Sequence, residues 1–384
     1  MNRKTIKVLI VEDSPVVTLI LKRIFATSPE IEVVGTAING LEGLELIPQV
    51  QPNVICTDLH MARMNGLEFT REVMSKYPRP ILVISASVQP EDTYNVFQLL
   101  DAGAVDVFPK PRAQSSQDYE SIKQELISKI KILSGVAVFT LRRRNRETGE
   151  EANNYACRAP GLHTKVGGKQ IEPNKLFTAP SFNFPTTPSP QPYSVSKILA
   201  IGASTGGPQA LHAILGQLPS NFATPVICVQ HISEGFLQGL VDWLASVSKL
   251  PVKIAKIGDL PQPGIIYFPP EGRHLEISSQ GRFVYSSLPP LSGHRPSVTV
   301  TFNSVAKFYG KAAVGILLTG MGRDGADGLL AIAQAGGITI AQDEATSVVF
   351  GMPKEAIALG AAQYILPVSE IAPYLLHKIF AKTI

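Results

Sequence analysis

A short β-branched run followed by an amphipathic stretch recurs five times before residue 133, and that rhythm restricts the first third of the chain to a parallel sheet covered by helices. Ile6–Val11 (IKVLIV) reads as a buried strand, and Pro15–Ala26 places Val16, Leu19, Ile20 and Ile24 at helical spacing. Ile31–Ala37, Val54–Thr57, Ile81–Ile84 and the short Val105–Phe108 read as further strands. Helices fit between them near Leu41–Ile47, from Leu67 and near Thr93–Leu100, and a last one over Tyr119–Leu133 carries Ile122, Leu126, Ile130 and Leu133 on one face. Parallel neighbours each need a crossover, so residues 1–133 are predicted to form a doubly wound α/β domain.

The rhythm stops at residue 134. From there to residue 194 no periodicity is sustained, and Pro180, Pro185, Pro188, Pro190 and Pro192 cluster among Ser and Thr, which predicts a long flexible linker with a Pro-rich finish. Arg142, Arg143, Arg144 and Arg146 fall inside it and read as a solvated basic run. The α/β pattern resumes over residues 195–384. Strands are expected at Lys197–Ile201, Pro225–Gln230, Ile265–Phe268, His274–Ile277, Phe283–Tyr285, Ala313–Leu318 and Ile338–Ala341. Helices are expected near Gln209–Leu218, Phe236–Val247, Val298–Phe308, Gly328–Gln334 and Ile371–Ala381. With 45% hydrophobic residues in 384, the chain can bury two cores, giving two largely parallel-sheet α/β domains joined by a linker.

Several function classes drop out. A net charge of +4 gives no reason to expect nucleic acid, and no helix-turn-helix with a basic face is present. Cys56, Cys157 and Cys228 are far apart, with no CxxC pair to suggest zinc or a disulfide framework. No leader-like segment precedes the first strand, and no apolar run approaches the roughly 18 residues of a membrane span. A cytoplasmic protein without direct membrane insertion is expected.

In the first domain, Glu12 and Asp13 end the first strand, Asp58 the third, Ser85 follows the fourth and Lys110 the fifth. Strand ends of an open parallel sheet converge on one edge, where ligands bind. Three carboxylates gathered there repel one another unless a hard cation neutralises them, and Mg²⁺ suits an all-oxygen set. Asp58 is the best placed nucleophile toward a phosphoryl donor, with Lys110 neutralising phosphate oxygens and Ser85 offering a hydroxyl. These residues, with Lys110-Pro111 after GAVDVF, make the segment resemble a response-regulator receiver domain, which has a flavodoxin-like fold. The resemblance implies phosphorylation of Asp58 by a chemotaxis-type histidine kinase and a switch through Ser85 and Phe108. DLHMARMNG departs from the usual pattern at Ala62, where receivers carry Pro, and at Asn65, where Asp is frequent.

In the second domain, Gly202-Ala203-Ser204-Thr205-Gly206 matches G-x-S-x-G between a strand and a helix, a turn that exposes a serine hydroxyl beside free helix N–H groups. His231 follows the strand PVICVQ, and Asp324 follows AAVGILLT. Alone, each reads equally as a satisfied histidine or a helix cap. Together the three strand ends supply nucleophile, base and orienting carboxylate. Their order, Ser then His then Asp, differs from that of α/β-hydrolases. Gly320, Gly322 and Gly325 also satisfy G-x-G-x-x-G, with Asp343 ending the next strand, so a receiver-linked NAD-dependent oxidoreductase is the competing enzyme. A receiver-controlled scaffold with a decayed hydrolase domain is the non-enzymatic alternative. His274, His294 and Arg295 either line the cleft or make ordinary surface hydrogen bonds, Asp343 and Glu344 either frame the site or form a turn, and Trp243 reads as a core residue.

GASTGGPQAL, VQHI, PPEGRHLEI, SGHRPSV, LLTGMGRDGADGL and AQDEATSVVFGMPKEAI together resemble the chemotaxis protein-glutamate methylesterase family, CheB. The resemblance, which with the receiver spans nearly everything but the linker, implies hydrolysis of γ-glutamyl methyl esters on methylated chemoreceptors, release of methanol, and deamidation of receptor glutamines, with no cofactor for the esterase. It maps the triad onto Ser204, His231 and Asp324 and the oxyanion site onto the Met321 N–H and Thr205. It further implies that the unphosphorylated receiver limits access to Ser204. Ser233 stands where the family usually has Pro, and Thr299 where Asp is common.

Overall fold

The computed structural model describes residues 5–86, 90–111, 116–138 and 197–381; the linker expected from residue 134 lies, beyond residue 138, outside them, as does Cys157. Residues 134–138 still pack on the first domain, with Val136 buried.

The first domain runs β1 (Ile6–Val11), α1 (Pro15–Ala26), β2 (Ile31–Ala37), α2 (Gly40–Val50), β3 (Val54–Thr57), α3 (Gly66–Lys76), β4 (Ile81–Ser85), α4 (Pro90–Asp101), β5 (Asp106–Pro109) and α5 (Ser116–Leu133). Its sheet is parallel, in the order β2-β1-β3-β4-β5. Helices cover both faces, so β3 and β4 are buried along their whole length, and their apolar runs do not alternate. Ser14 caps α1, with Pro15 in the first turn. Asn65, despite its departure from the receiver pattern, forms a capping box with Glu68 at the start of α3.

The second domain runs β6 (Ile198–Ala203), α6 (Gly207–Leu215), β7 (Val226–Gln230), α7 (Leu237–Val247), β8 (Val252–Ile254), β9 (Ile266–Phe268), β10 (His274–Ile277), β11 (Phe283–Ser286), α8 (Val298–Tyr309), β12 (Ala313–Leu317), α9 (Ala326–Gln334), β13 (Ile338–Gln342), α10 (Met352–Ala358), β14 (Tyr364–Leu366) and α11 (Val368–Tyr374). Seven parallel strands are ordered β14-β13-β12-β6-β7-β9-β8, and β10 pairs with β11 as a separate hairpin. The chain winds from β6 through β7 to one edge, then restarts at β12 and winds to the other. The switch point therefore lies between β6 and β12, where an open sheet of this type offers a crevice. Three elements escaped the sequence reading: β8, β14 and α10. Both strands have three residues and half-exposed or exposed edge positions, too short for a period to register.

The two domains touch. Phe97 of α4 stacks on Trp243 of α7 with ring centroids 5.6 Å apart, and the Trp243 indole N–H donates to Asp101 at 3.0 Å. Gln209 of α6 donates through Nε2 to the Ala104 carbonyl at 2.8 Å. Trp243 is thus a buried core residue, as its helical position suggested, in a cluster that joins second-domain residues such as Leu240 and Leu244 to Phe97 of the receiver.

Candidate active site

Strands β12, β6 and β7 are neighbours, so the residues that follow them reach one rim of the sheet. The structure bonds His231 to Asp324 there and sets Ser204 at the neighbouring strand end, with no hydrogen bond between the Ser204 hydroxyl and His231 among the described residues. Ser204 follows β6 directly; its N–H donates to the Thr319 carbonyl beyond β12 at 3.0 Å, while the His231 N–H donates to Ala203 at 3.0 Å. After Ser204 the backbone turns sharply through Gly206, at φ +76°, into α6. A β-carbon at Gly206 would lie 2.5 Å from Val348, so both the left-handed conformation and the space require glycine. Gly206→Ala is expected to destabilise the domain by about 2–4 kcal/mol, read by thermal melting, and to cut turnover with it.

Asp324 is the most heavily bonded group at the rim. Its Oδ2 accepts from His231 Nε2 at 2.8 Å and from the Val298 N–H at 2.7 Å. Its Oδ1 accepts from the Ser297 hydroxyl at 2.7 Å and from the N–H groups of Thr299 and Gly325, both at 3.0 Å. The carboxylate therefore sits on the first turn of α8, where free N–H groups and the helix dipole favour negative charge. Burial pushes its pKa up, but His231, Ser297 and Thr299 outweigh that and hold it far below the usual carboxylate range. Thr299, the departure noted in the sequence, also accepts the Gly325 N–H through Oγ1 at 2.7 Å and so joins the two strand-end loops.

An ionised Asp324 keeps the proton on His231 Nε2, which leaves Nδ1 with the lone pair. That atom is buried and has no partner among the described residues. The chymotrypsin-type triad presents its imidazole the other way round, with Nδ1 to the carboxylate. His294 lies flat on the His231 ring, centroids 3.7 Å apart and planes within 7°. Burial, then the neighbouring His231, drives the His294 pKa down to about 4, so the covering ring is neutral near pH 7. The Thr205 and Met321 N–H groups make no backbone hydrogen bond among the described residues. Beside the rim a 280 Å³ cavity opens between Ile232, Leu237, Phe268, Glu271, Arg295 and Pro296.

Other readings resolve as follows. His274 is fully buried and accepts the Ser297 N–H at Nδ1, supporting the residue that in turn bonds Asp324. Asp343 caps a turn by accepting the N–H and hydroxyl of Thr346, which engages the carboxylate that a dinucleotide would need. Asp324, the acid inside the glycine pattern, is bound to His231 in place of leaving that loop free for a pyrophosphate.

At the receiver's rim, carboxylate oxygens of Glu12, Asp13 and Asp58 lie within 4.8 Å of one another. Lys110 Nζ donates to Glu12 Oε1 and to Asp58 Oδ2, each at 2.8 Å. The Leu59 N–H donates to Asp58 Oδ1 at 2.7 Å. Burial raises the pKa of Glu12 and Asp58 even against Lys110, and although burial pulls Lys110 down, the two carboxylates hold it up. Glu12 Oε2 is buried without a partner among the described residues, as one open ligand position of an all-oxygen cation site would be. Ser85 and Phe108 are both buried at the ends of β4 and β5.

Residues 199–375 match the family model described as CheB methylesterase, and residues 8–117 match that of the response regulator receiver domain. A protein-glutamate methylesterase/protein-glutamine glutaminase of Nitrosospira multiformis is 40% identical over 367 residues, covering 96% of this chain and 95% of that protein. The Pyrococcus abyssi protein of the same name is 36% identical over 371 residues, covering 96% and 92%. Among solved structures, the Thermotoga maritima CheB methylesterase catalytic domain is 39% identical, covers 48% of this chain and all of that one, and aligns with a TM-score of 0.47.

Proposed function

The chain belongs to the CheB methylesterase family, with a receiver domain ahead of the catalytic one, and from that premise we propose that it demethylates glutamate methyl esters on chemoreceptors under control of phosphorylation at Asp58. The observation that carries the catalytic half is the His231 ring: Nε2–H held by Asp324 at 2.8 Å, Nδ1 buried and unpaired one strand away from Ser204. Ser204 Oγ attacks the ester carbonyl while Nδ1 takes its proton, and the developing oxyanion is met by the N–H groups of Thr205 and Met321. Collapse expels methanol, protonated by the imidazolium, and leaves the glutamyl group on Ser204. A water, activated by the same nitrogen, then releases the carboxylate and restores the serine. A glutamine side chain follows the same path with ammonia leaving. Throughout, Asp324 stabilises the imidazolium without taking the proton.

In the receiver, Glu12, Asp13 and Asp58 fit Mg²⁺, which supplies charge neutralisation for an incoming phosphoryl donor. Asp58 Oδ attacks the phosphorus as the donor's own bond to phosphorus breaks and the dephosphorylated donor leaves, and Lys110, already 2.8 Å from Asp58, moves to the new phosphate oxygens with Ser85. The kinase of a chemoreceptor array is the physiological donor in this reading. Gln209 and Trp243 tie the receiver to α6, the helix that begins at the Ser204 turn, and to its neighbour α7. Phosphorylation loosens that contact and opens the rim.

The direct test is methanol release from a methylated receptor, with and without acetyl phosphate and Mg²⁺; no release in either condition overturns the assignment. Asp58→Asn should keep basal turnover and lose all stimulation by acetyl phosphate. Since Trp243 is the single tryptophan of the chain and lies in the interface, its emission should change on adding the phosphodonor in the parent protein and stay constant in Asp58→Asn.

A further inference from the structure

The ladder between β6 and β7 ends at the pair Ala203 and Gln230, so Ser204 and His231 are the first residues beyond its last registered pair. Past that point one backbone bond remains, from the His231 N–H to the Ala203 carbonyl at 3.0 Å, and a side chain adds the rest. Gln230 Nε2 donates to the Ser204 carbonyl at 2.8 Å and to the His231 carbonyl at 2.8 Å, within a pocket that leaves the residue 4% exposed. Two carbonyl acceptors can be satisfied only by the NH₂ end of the amide, which fixes its orientation. Oε1 then faces Gly207, where a β-carbon would lie 2.0 Å from it. The Gly207 N–H closes the arrangement by donating to the same Ser204 carbonyl at 2.7 Å.

We propose that Gln230 is a positioning residue that sets the separation of Ser204 and His231 by clamping their two carbonyls, and that Gly207 is glycine because the clamp, together with the Ala203 β-carbon, occupies the space of its side chain. The role rests on the esterase reading above, since it is defined by the proton transfer between these residues. Gln230 also lines the cavity beside the rim, but its amide nitrogen is engaged by the two carbonyls. Its effect is on distance: in-line attack and proton transfer both depend on a near-attack geometry, and a displacement of about 1 Å can cost roughly 100-fold in rate. Within the family motifs VQHI and STGG, the clamp makes the glutamine of one and the second glycine of the other a single physical unit.

Gln230→Met keeps the length of the side chain and removes both donors. In the full-length protein it should lower kcat for methanol release by roughly 10- to 100-fold with KM changed less than about twofold, because ground-state binding does not involve the clamp. Labelling of Ser204 by a fluorophosphonate should slow by the same factor, while phosphorylation of Asp58 by acetyl phosphate proceeds at the parental rate. Gln230→Asn, which retains the amide but cannot span both carbonyls, should reproduce the kcat loss should the Met variant fail to fold. Parental kcat and labelling rate in a folded variant overturn the positioning role. A loss that only tracks the unfolded fraction in a thermal melt overturns it too. A parent protein whose Ser204 is not labelled at all would instead bring down the esterase reading, and the clamp's purpose with it.

Discussion

Ser204→Ala should reduce methanol release by roughly 10⁴- to 10⁶-fold while leaving the protein folded, because in the proposed mechanism the hydroxyl supplies the attacking atom. The substitution removes no structural bond: the Ser204 N–H and C=O carry its contacts to Thr319, Gly207 and Gln230, and alanine keeps both. The melting temperature should therefore match the parent's, and phosphorylation at Asp58 should proceed unchanged. In that mechanism, what remains after serine removal is water attack aided by the proposed oxyanion donors, the N–H groups of Thr205 and Met321. A variant that still releases methanol at the parental rate would mean that another group performs the attack.

Asp324→Asn should damage both activity and stability. Each carboxylate oxygen is already filled by donors: His231 Nε2 and the Val298 N–H on one, Ser297 and the Thr299 and Gly325 N–H groups on the other. Whichever way an asparagine turns, its NH₂ confronts donors, and at least one buried N–H or the imidazole loses its acceptor. The histidine tautomer is then no longer held, which should lower kcat by about 10⁴-fold, and the orphaned donors should cost about 2–4 kcal/mol of stability, measured by denaturant unfolding. The pH dependence has a definite sign. A carboxylate held below its unfolded value of roughly 3.9 contributes stability that is complete above that value and lost as pH falls toward the folded one. The parent should thus lose stability in acid below about pH 4 more steeply than Asp324→Asn, which has no such proton to take up. Equal acid sensitivity would show that Asp324 is not the depressed group.

The receiver's elements were readable because each leaves a local trace: an apolar run for a strand buried on both faces, a four-residue repeat for a helix, and a strand end marked by Asp58 or Lys110. The same holds for Ser204 and its glycine-rich turn. Asp324 was legible as a residue type at a strand end but not in its surroundings. Read locally it is a cap for α9; in the structure it is bound by the start of α8, whose Ser297, Val298 and Thr299 lie some 25 or more residues back along the chain. His294 was visible only as a loop histidine, and its flat contact with His231 spans 63 residues of sequence with no spacing rule to suggest it. Gln230 passed unremarked because a polar residue at a strand terminus is ordinary. Trp243 read as core, since a buried aromatic on a helix face has the same pattern whether it packs on its own sheet or on another domain.

The sequence by itself determined the two parallel-sheet domains, the family, and which residue types stand at the strand ends, because periodicity and strand-to-helix turns are properties of a few neighbouring residues. Only the tertiary structure decided how those residues serve one another: which nitrogen of His231 is held, what keeps Asp324 ionised, and what Trp243 packs against. Those answers come from hydrogen bonds and ring contacts between segments brought together by strand order, and strand order is set by the packing of the whole sheet, which no local pattern encodes.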